Sequence, residues 1–160
     1  TPVPVTMHAP DFIVDLKELE AAINPRTKLL ILNNPHNPTG KVWSKEELTA
    51  IANLAIKNDL YVMSDEVYEF LVFDGVKHLP TATLEGMFER TITISSAGKT
   101  FGLTGWKIGW ICANPKVTNA CRLIHQYVAF SVSTPMQEGV AEALKQLPDY
   151  LPGFVSLYKG

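Results

Sequence analysis

The 160-residue sequence has little cysteine, no long apolar run and no excess of basic charge, and each shortage removes a class of protein. Its two cysteines, Cys112 and Cys121, have no histidine beside them at metal-ligand spacing, so neither a disulfide framework nor a zinc site is expected. They read as reduced core thiols, which fits an intracellular compartment, cytoplasmic or mitochondrial matrix. No stretch approaches the roughly 20 apolar residues that span a bilayer. The opening "TPVPVTMHAPDF" also lacks a signal peptide's apolar segment, so no membrane association is expected. The 14 basic and 16 acidic residues are scattered and leave a net charge of −2, without the basic stripe that nucleic acid requires. No nucleic-acid partner is expected. The first residue is threonine and not methionine, so the reading expects further chain before it.

What is present is a chain with 46% hydrophobic residues, enough for one core and either one domain or part of a larger one. Helix signals alternate with short β-rich runs, which predicts strand-helix-strand units, a mostly parallel sheet and an α/β fold. "DLKELEAAI" (15–23) opens with a D-x-x-E box, and "SKEELTAIANLAIKN" (44–58) opens with S-x-x-E. In the second, Leu48, Ile51, Ala52, Ala55 and Ile56 share one face, which should pack on the sheet. Strands are predicted at "KLLILNN" (28–34), "LYVMS" (60–64), "TITIS" (91–95) and "IGWICA" (108–113), the first two apolar enough for burial on both faces. Further helices are predicted over 114–130, capped by Asn114 with Pro115 in the first turn, and over 134–147. After Pro148 the pattern thins, which predicts a frayed end or an unfinished element.

Polar groups concentrate just after the strands, in "NNPHNPTG", "SDEVYE" and "SSAGKT". In open α/β sheets ligands bind beyond the carboxyl ends of the strands, so three such ends at one cleft would make a site. It is not a nucleotide site of the usual kinds. A P-loop ending in Gly98-Lys99-Thr100 would need glycine at 93, where threonine stands, and the glycines at 98, 102, 105 and 109 miss the spacing of G-x-G-x-x-G.

Taken singly, the residues have ordinary readings. Lys99 reads as a solvated lysine, Asp65 as a cap or strand-end residue, Asn37 as a turn residue and Tyr68 as a core tyrosine with its hydroxyl paired. Together, an amine, a carboxylate, an amide and a phenol at strand ends form the set that pyridoxal phosphate needs.

In this order, "NNPHNPTGKV", "SDEVYE" and "SSAGKTFGLTGWKIGW" resemble the class I aminotransferases of the fold-type I pyridoxal-phosphate family. The likeness runs from about Asp15 to about Leu147 and is nearest to the branch of kynurenine aminotransferases, glutamine transaminase K and cysteine-conjugate β-lyases. It implies a three-layer α/β large domain with helices on both faces of the sheet. Residues 1–160 would be its central part, without the family's N-terminal segment and C-terminal small domain.

Carried over position by position, the resemblance makes Lys99 the Schiff-base lysine, partly desolvated among glycines that let the backbone approach. Asp65 would pair with the protonated pyridine nitrogen, and Tyr68 and Asn37 would donate to the ring's 3-oxygen, Asn37 also touching the substrate carboxylate. Val67 would lie under the ring, and Ser96 and Lys107 would hold the phosphate. Position 107 is more often arginine in the broader family, and its lysine reads as a marker of the branch. Phe130 would reach a neighbouring subunit's substrate pocket, its alternative being a core phenylalanine. The implied activity is ping-pong transfer of an amino group from an amino acid of kynurenine, glutamine or aromatic type to a 2-oxo acid, by a homodimer. Cysteine-conjugate β-lyase chemistry would follow from the same residues, and the rival of another class is a silent truncated product that serves only as a dimerisation partner.

Overall fold

The computed structural model describes residues 1–159. Its centre is a four-stranded sheet of β3 (Leu29–Asn33), β4 (Tyr61–Asp65), β5 (Thr91–Ser96) and β6 (Gly109–Cys112), lying side by side in chain order. The first three are parallel and β6 runs antiparallel to β5, so the α/β fold with a mostly parallel sheet stands. Two two-residue strands, β1 (Met7–His8) and β2 (Ile13–Val14), make a small antiparallel pair ahead of helix α1 (Leu16–Ala22).

Helix α2 (Lys45–Lys57) joins β3 to β4 and begins at a complete capping box. The Ser44 hydroxyl accepts from the Glu47 amide at 3.2 Å, and the Glu47 carboxylate accepts from the Ser44 amide at 3.0 Å. Leu48, Ile51, Ala52 and Ala55 are buried with Leu30, Leu32 and Val62, which forms the main core. Ile56 is 41% exposed, because it stands at the rim of that face. At α1 the expected reciprocal box is half made. Asp15 accepts from the Lys17 and Glu18 amides, but the Glu18 carboxylate turns to the Thr6 amide instead.

Burial departs from the sequence reading in β3 and β4. Leu30 and Leu32 face α2, whereas Ile31 is 67% exposed and Leu29 and Tyr61 are also exposed, since none of the described residues covers the far face there. The cysteines are not core thiols either. Cys112, in the edge strand β6, is exposed and Cys121 half-buried, both free.

Three helices follow: α4 (Pro115–Val128), capped by Asn114 as expected, α5 (Thr134–Lys145) and α6 (Leu147–Lys159). The last replaces the expected frayed end. Its Phe154 is buried and its aromatic side chains stack at four-residue spacing, Tyr150 on Phe154 and Phe154 on Tyr158, with centroids 5.4 and 5.1 Å apart. That periodicity outweighs Pro152, which lies within the second turn of the helix. Among the described residues no helix is long and apolar enough to cross a membrane.

Candidate active site

Register places the polar motifs at one edge. Asn33 at the end of β3 pairs with Asp65 at the end of β4, Asp65 with Ile94 of β5, and Ser96 at the end of β5 with Gly109 of β6. Because β6 is antiparallel, the turn entering it belongs to the same edge, which brings Lys107 there as well. Two glycines make the close approach possible. A Cβ on Gly109 would stand 3.0 Å from the Ser95 carbonyl, and one on Gly98 would stand 3.3 Å from the Thr104 backbone.

Asp65 ends β4 half-buried, and one of its carboxylate oxygens accepts from the Val67 amide at 3.3 Å. "SDEVYE" therefore continues as a turn beyond the strand, with the Glu69 amide bonded to the Glu66 carbonyl and the Leu71 amide to the Tyr68 carbonyl. This turn carries Tyr68 across to the "NNPHNPTG" segment, where the Asn37 amide nitrogen donates to its phenolic oxygen at 3.3 Å. The Lys99 amine stands over the same phenol ring, 5.7 Å from its centroid. Asn37, Tyr68 and Lys99 are thus one cluster, and Tyr68 is its centre.

Lys99 itself is exposed and not partly desolvated. The cause is local: α3 (Ala97–Thr100) is a four-residue helix that buries Ala97 and Thr100, which leaves Lys99 on its outer side. Ser96 caps this helix. Its hydroxyl accepts from the Gly98 amide at 3.0 Å and donates to the Ile108 carbonyl at 3.3 Å. Lys107 is exposed with φ +55°, a left-handed conformation that ends the turn before β6. Val67 is half-buried beside Asp65.

Phe130 does not join the cluster, and it is not a core residue. It is 82% exposed with φ +63°, just past α4, and lines a separate depression with Arg122, Gln126 and other α4 residues. Next to the cluster lies a cleft of about 590 Å³ between the Asn37 turn and the loop after Tyr68, with Pro35, Val42, Leu71, Phe73 and Val76 among its walls.

The structure adds residues that sequence reasoning did not single out. Asn33 donates from its side chain to the Asp65 carbonyl at 3.0 Å and accepts from the Asn37 amide at 2.7 Å, so one side chain ties two site residues together. Trp43 donates its indole N–H to the Asn33 carbonyl at 2.9 Å, and the Lys41 amine, 2.6 Å from Glu47, links the same segment to the start of α2. Asn33 was visible as the first residue of "NNPHNPTG", but its bridging role depends on β3 and β4 being adjacent.

Residues 1–156 match the family described as aminotransferase class I and II. The chain belongs to that family. It is 53% identical over 150 residues to kynurenine–oxoglutarate transaminase of Dictyostelium discoideum, covering 91% of this chain and 34% of that protein. It is 48% identical over 153 residues to human kynurenine–oxoglutarate transaminase 3, covering 93% of this chain and 34% of that one. The solved structure of N-succinyldiaminopimelate aminotransferase from Mycobacterium tuberculosis superposes with a TM-score of 0.92 at 45% identity, covering 98% of this chain and 41% of that one. The chain therefore spans about a third of the length of the curated relatives it matches.

The residues present fit pyridoxal phosphate by the chemistry of their donors. An amine, a carboxylate and an amide–phenol pair share one sheet edge with a hydroxyl and a second amine. No acid stands within ion-pair distance of Lys99 or Lys107 among the described residues, so both amines are free to engage a ligand.

Proposed function

We propose that the protein of which this chain is part is a pyridoxal-phosphate-dependent aminotransferase that moves an amino group from an amino acid to a 2-oxo acid. The observation that carries this reading is the Asn37–Tyr68–Lys99 cluster at the edge where Asp65 ends its strand. Bound there, the cofactor supplies an electrophilic aldehyde and an electron-withdrawing ring.

The chain's residues divide the remaining work. Lys99 would offer the amine that engages the aldehyde and would serve as general base for the proton at the substrate's α-carbon. Asp65 would hold a proton at the ring nitrogen and so keep the ring positively charged. Asn37 and Tyr68 would donate to the ring oxygen, and Ser96 and Lys107 would hold the phosphate by hydroxyl and by charge. Val67, next to Asp65, would pack under the ring.

The substrate is proposed to be an amino acid of kynurenine, glutamine or aromatic type, on the likeness to the two kynurenine–oxoglutarate transaminases. The likeness to a succinyldiaminopimelate enzyme makes that substrate the competing choice. The working form is proposed to be a homodimer, supported by the apolar surface that α4 leaves open at Leu123, Ile124, Tyr127 and Val128, with Phe130 beside it. The compartment is proposed to be the cytoplasm.

The test is transfer of nitrogen-15 from labelled kynurenine, glutamine and succinyldiaminopimelate to 2-oxoglutarate by the full-length protein. Labelled glutamate with parallel double-reciprocal plots is expected from at least one donor. No labelled product from any donor, with pyridoxal phosphate bound, would contradict the proposal.

A further inference from the structure

Behind the cluster lies a second polar group that takes no part in the chemistry proposed above. Glu66 is 1% exposed, and both of its carboxylate oxygens are engaged. One accepts from the Ser64 hydroxyl at 2.8 Å and from the Thr81 amide at 3.0 Å, and the other pairs with His78 Nε2 at 2.9 Å. The Thr81 hydroxyl lies 3.0 Å from Ser64 Oγ and is its donor, since the Ser64 proton goes to Glu66. The main chain of Glu66 is held as well, its amide by the Ile94 carbonyl at 2.9 Å and its carbonyl by the Glu69 amide at 2.9 Å. Glu69 in turn accepts from the Ser95 hydroxyl at 2.7 Å, one residue before Ser96.

Several members of this group adjoin a residue of the site in the chain. Glu66 follows Asp65, Glu69 follows Tyr68, and Ser95 precedes Ser96. The group also spans both ends of one loop, because Glu66 opens the segment that carries Tyr68 and the cleft wall, and His78 and Thr81 close it.

Burying a polar pair of this kind is a poor route to stability, since desolvation offsets most of the attraction and apolar residues would fill the space at less cost. What such a pair does supply is direction, because a carboxylate bonded at both oxygens has one orientation. The ligand atoms of Glu66, Glu69 and His78 lie within 4.8 Å of one another, but both Glu66 oxygens already have partners inside the protein. Glu66 is therefore engaged within the protein and not open toward a cation.

We propose that Glu66 and His78 are a positioning pair, a clamp at the two ends of the 66–81 loop that sets the orientation of Asp65 and Tyr68 toward the cofactor. The inference rests on the pyridoxal-phosphate reading for its consequence, and on the contacts above for the clamp itself.

The test uses the full-length protein with E66Q, H78Q, the double variant and the conservative E66D, and with L48A as a core control that lowers stability without touching the loop. Amide hydrogen exchange without cofactor reads the clamp: the Glu69 and Leu71 amides should exchange about tenfold faster or more in E66Q and H78Q, but not in L48A beyond its general loss of stability. Titration with pyridoxal phosphate, followed by the visible circular dichroism of the bound cofactor, reads the consequence. Affinity should fall about tenfold in either single variant and hardly further in the double, with partial rescue in E66D. Exchange at Glu69 and Leu71 as slow in E66Q as in the unaltered chain would overturn the clamp. Affinity and dichroism that change no more than in L48A would overturn its role in positioning. An unaltered full-length protein that takes up no pyridoxal phosphate would overturn the functional reading, and with it the positioning role, while the exchange result would still judge the clamp.

Discussion

Asn37 and Tyr68 are 31 residues apart in the chain, yet the amide nitrogen of one donates to the phenolic oxygen of the other at 3.3 Å. Parallel pairing of β3 with β4 brings the two segments together, because it sets Asn33 opposite Asp65 and so places the two following turns side by side. Both groups can then donate to one acceptor between them. Tyr68→Phe keeps the ring beneath Lys99 and removes the oxygen, so affinity for pyridoxal phosphate should fall by up to about tenfold while thermal stability stays near that of the unaltered chain. Fluorescence titration and a melting curve check this together, and unchanged affinity would show that the phenol makes no contact with the cofactor.

Asn33 is expected to matter as much as the residues that touch the ligand. Asn33→Ala loses the bonds to the Asp65 carbonyl and the Asn37 amide, and should cost about 1–3 kcal/mol of stability along with cofactor affinity. Asn33→Asp keeps the acceptor for Asn37 but not the donor for Asp65, and should fall between. Denaturant unfolding of the three proteins gives the order, and an alanine variant as stable as the parent would refute the bridging role.

Glu69 makes a prediction in pH. Burial pushes its carboxyl above the ordinary value of 4.5, the Ser95 hydroxyl and His78 pull it down, and Glu66 pushes it up again. An acid raised in this way holds its proton more tightly folded than unfolded, so its contribution to stability declines as pH rises from 4.5 through the folded value. Glu69→Gln is neutral throughout and escapes that decline. The melting temperature of the variant minus that of the parent should therefore rise between about pH 4 and pH 7. A difference that is flat or falls over this range would contradict the assignment.

The Ser44 cap offers a test of the fold apart from the site. Ser44→Ala removes the acceptor for the Glu47 amide and should cost about 1 kcal/mol. For a chain of this length that is a drop of roughly 2–4 °C in Tm, with cofactor binding unaltered. A loss of binding without a loss of stability would mean that α2 and the site are coupled in some other way.

How much of this was legible in the sequence depends on the range of the interaction. The α2 capping box, the Asn114 cap and the strand cores are local patterns, and each stands within a residue or two of its predicted place. The site motifs were legible because each follows a strand end. Which neighbours they meet was not, since contacts such as Asn33 with Asp65 or Glu66 with His78 require the strand order and the return of a distant loop. Burial of Ile31 and of the cysteines was misread for a related reason. Apolar composition states what a residue can pack against, and among the described residues the far side of β3 and the β6 edge have no such neighbour. The C-terminal helix was not legible because the pattern thins after Pro148, while the aromatic ladder that sustains it past Pro152 recurs at every fourth position.

The central claim is that Lys99 is the residue that engages the cofactor. Its most direct test is to mix the full-length protein with pyridoxal phosphate, fix any adduct with borohydride and map the modified lysine by mass spectrometry, with Lys99→Ala treated in parallel. The account predicts one dominant adduct on Lys99, accompanied by a visible absorbance band, and loss of both in the variant. Labelling spread evenly over the other lysines, or an adduct that survives in the variant, would contradict it.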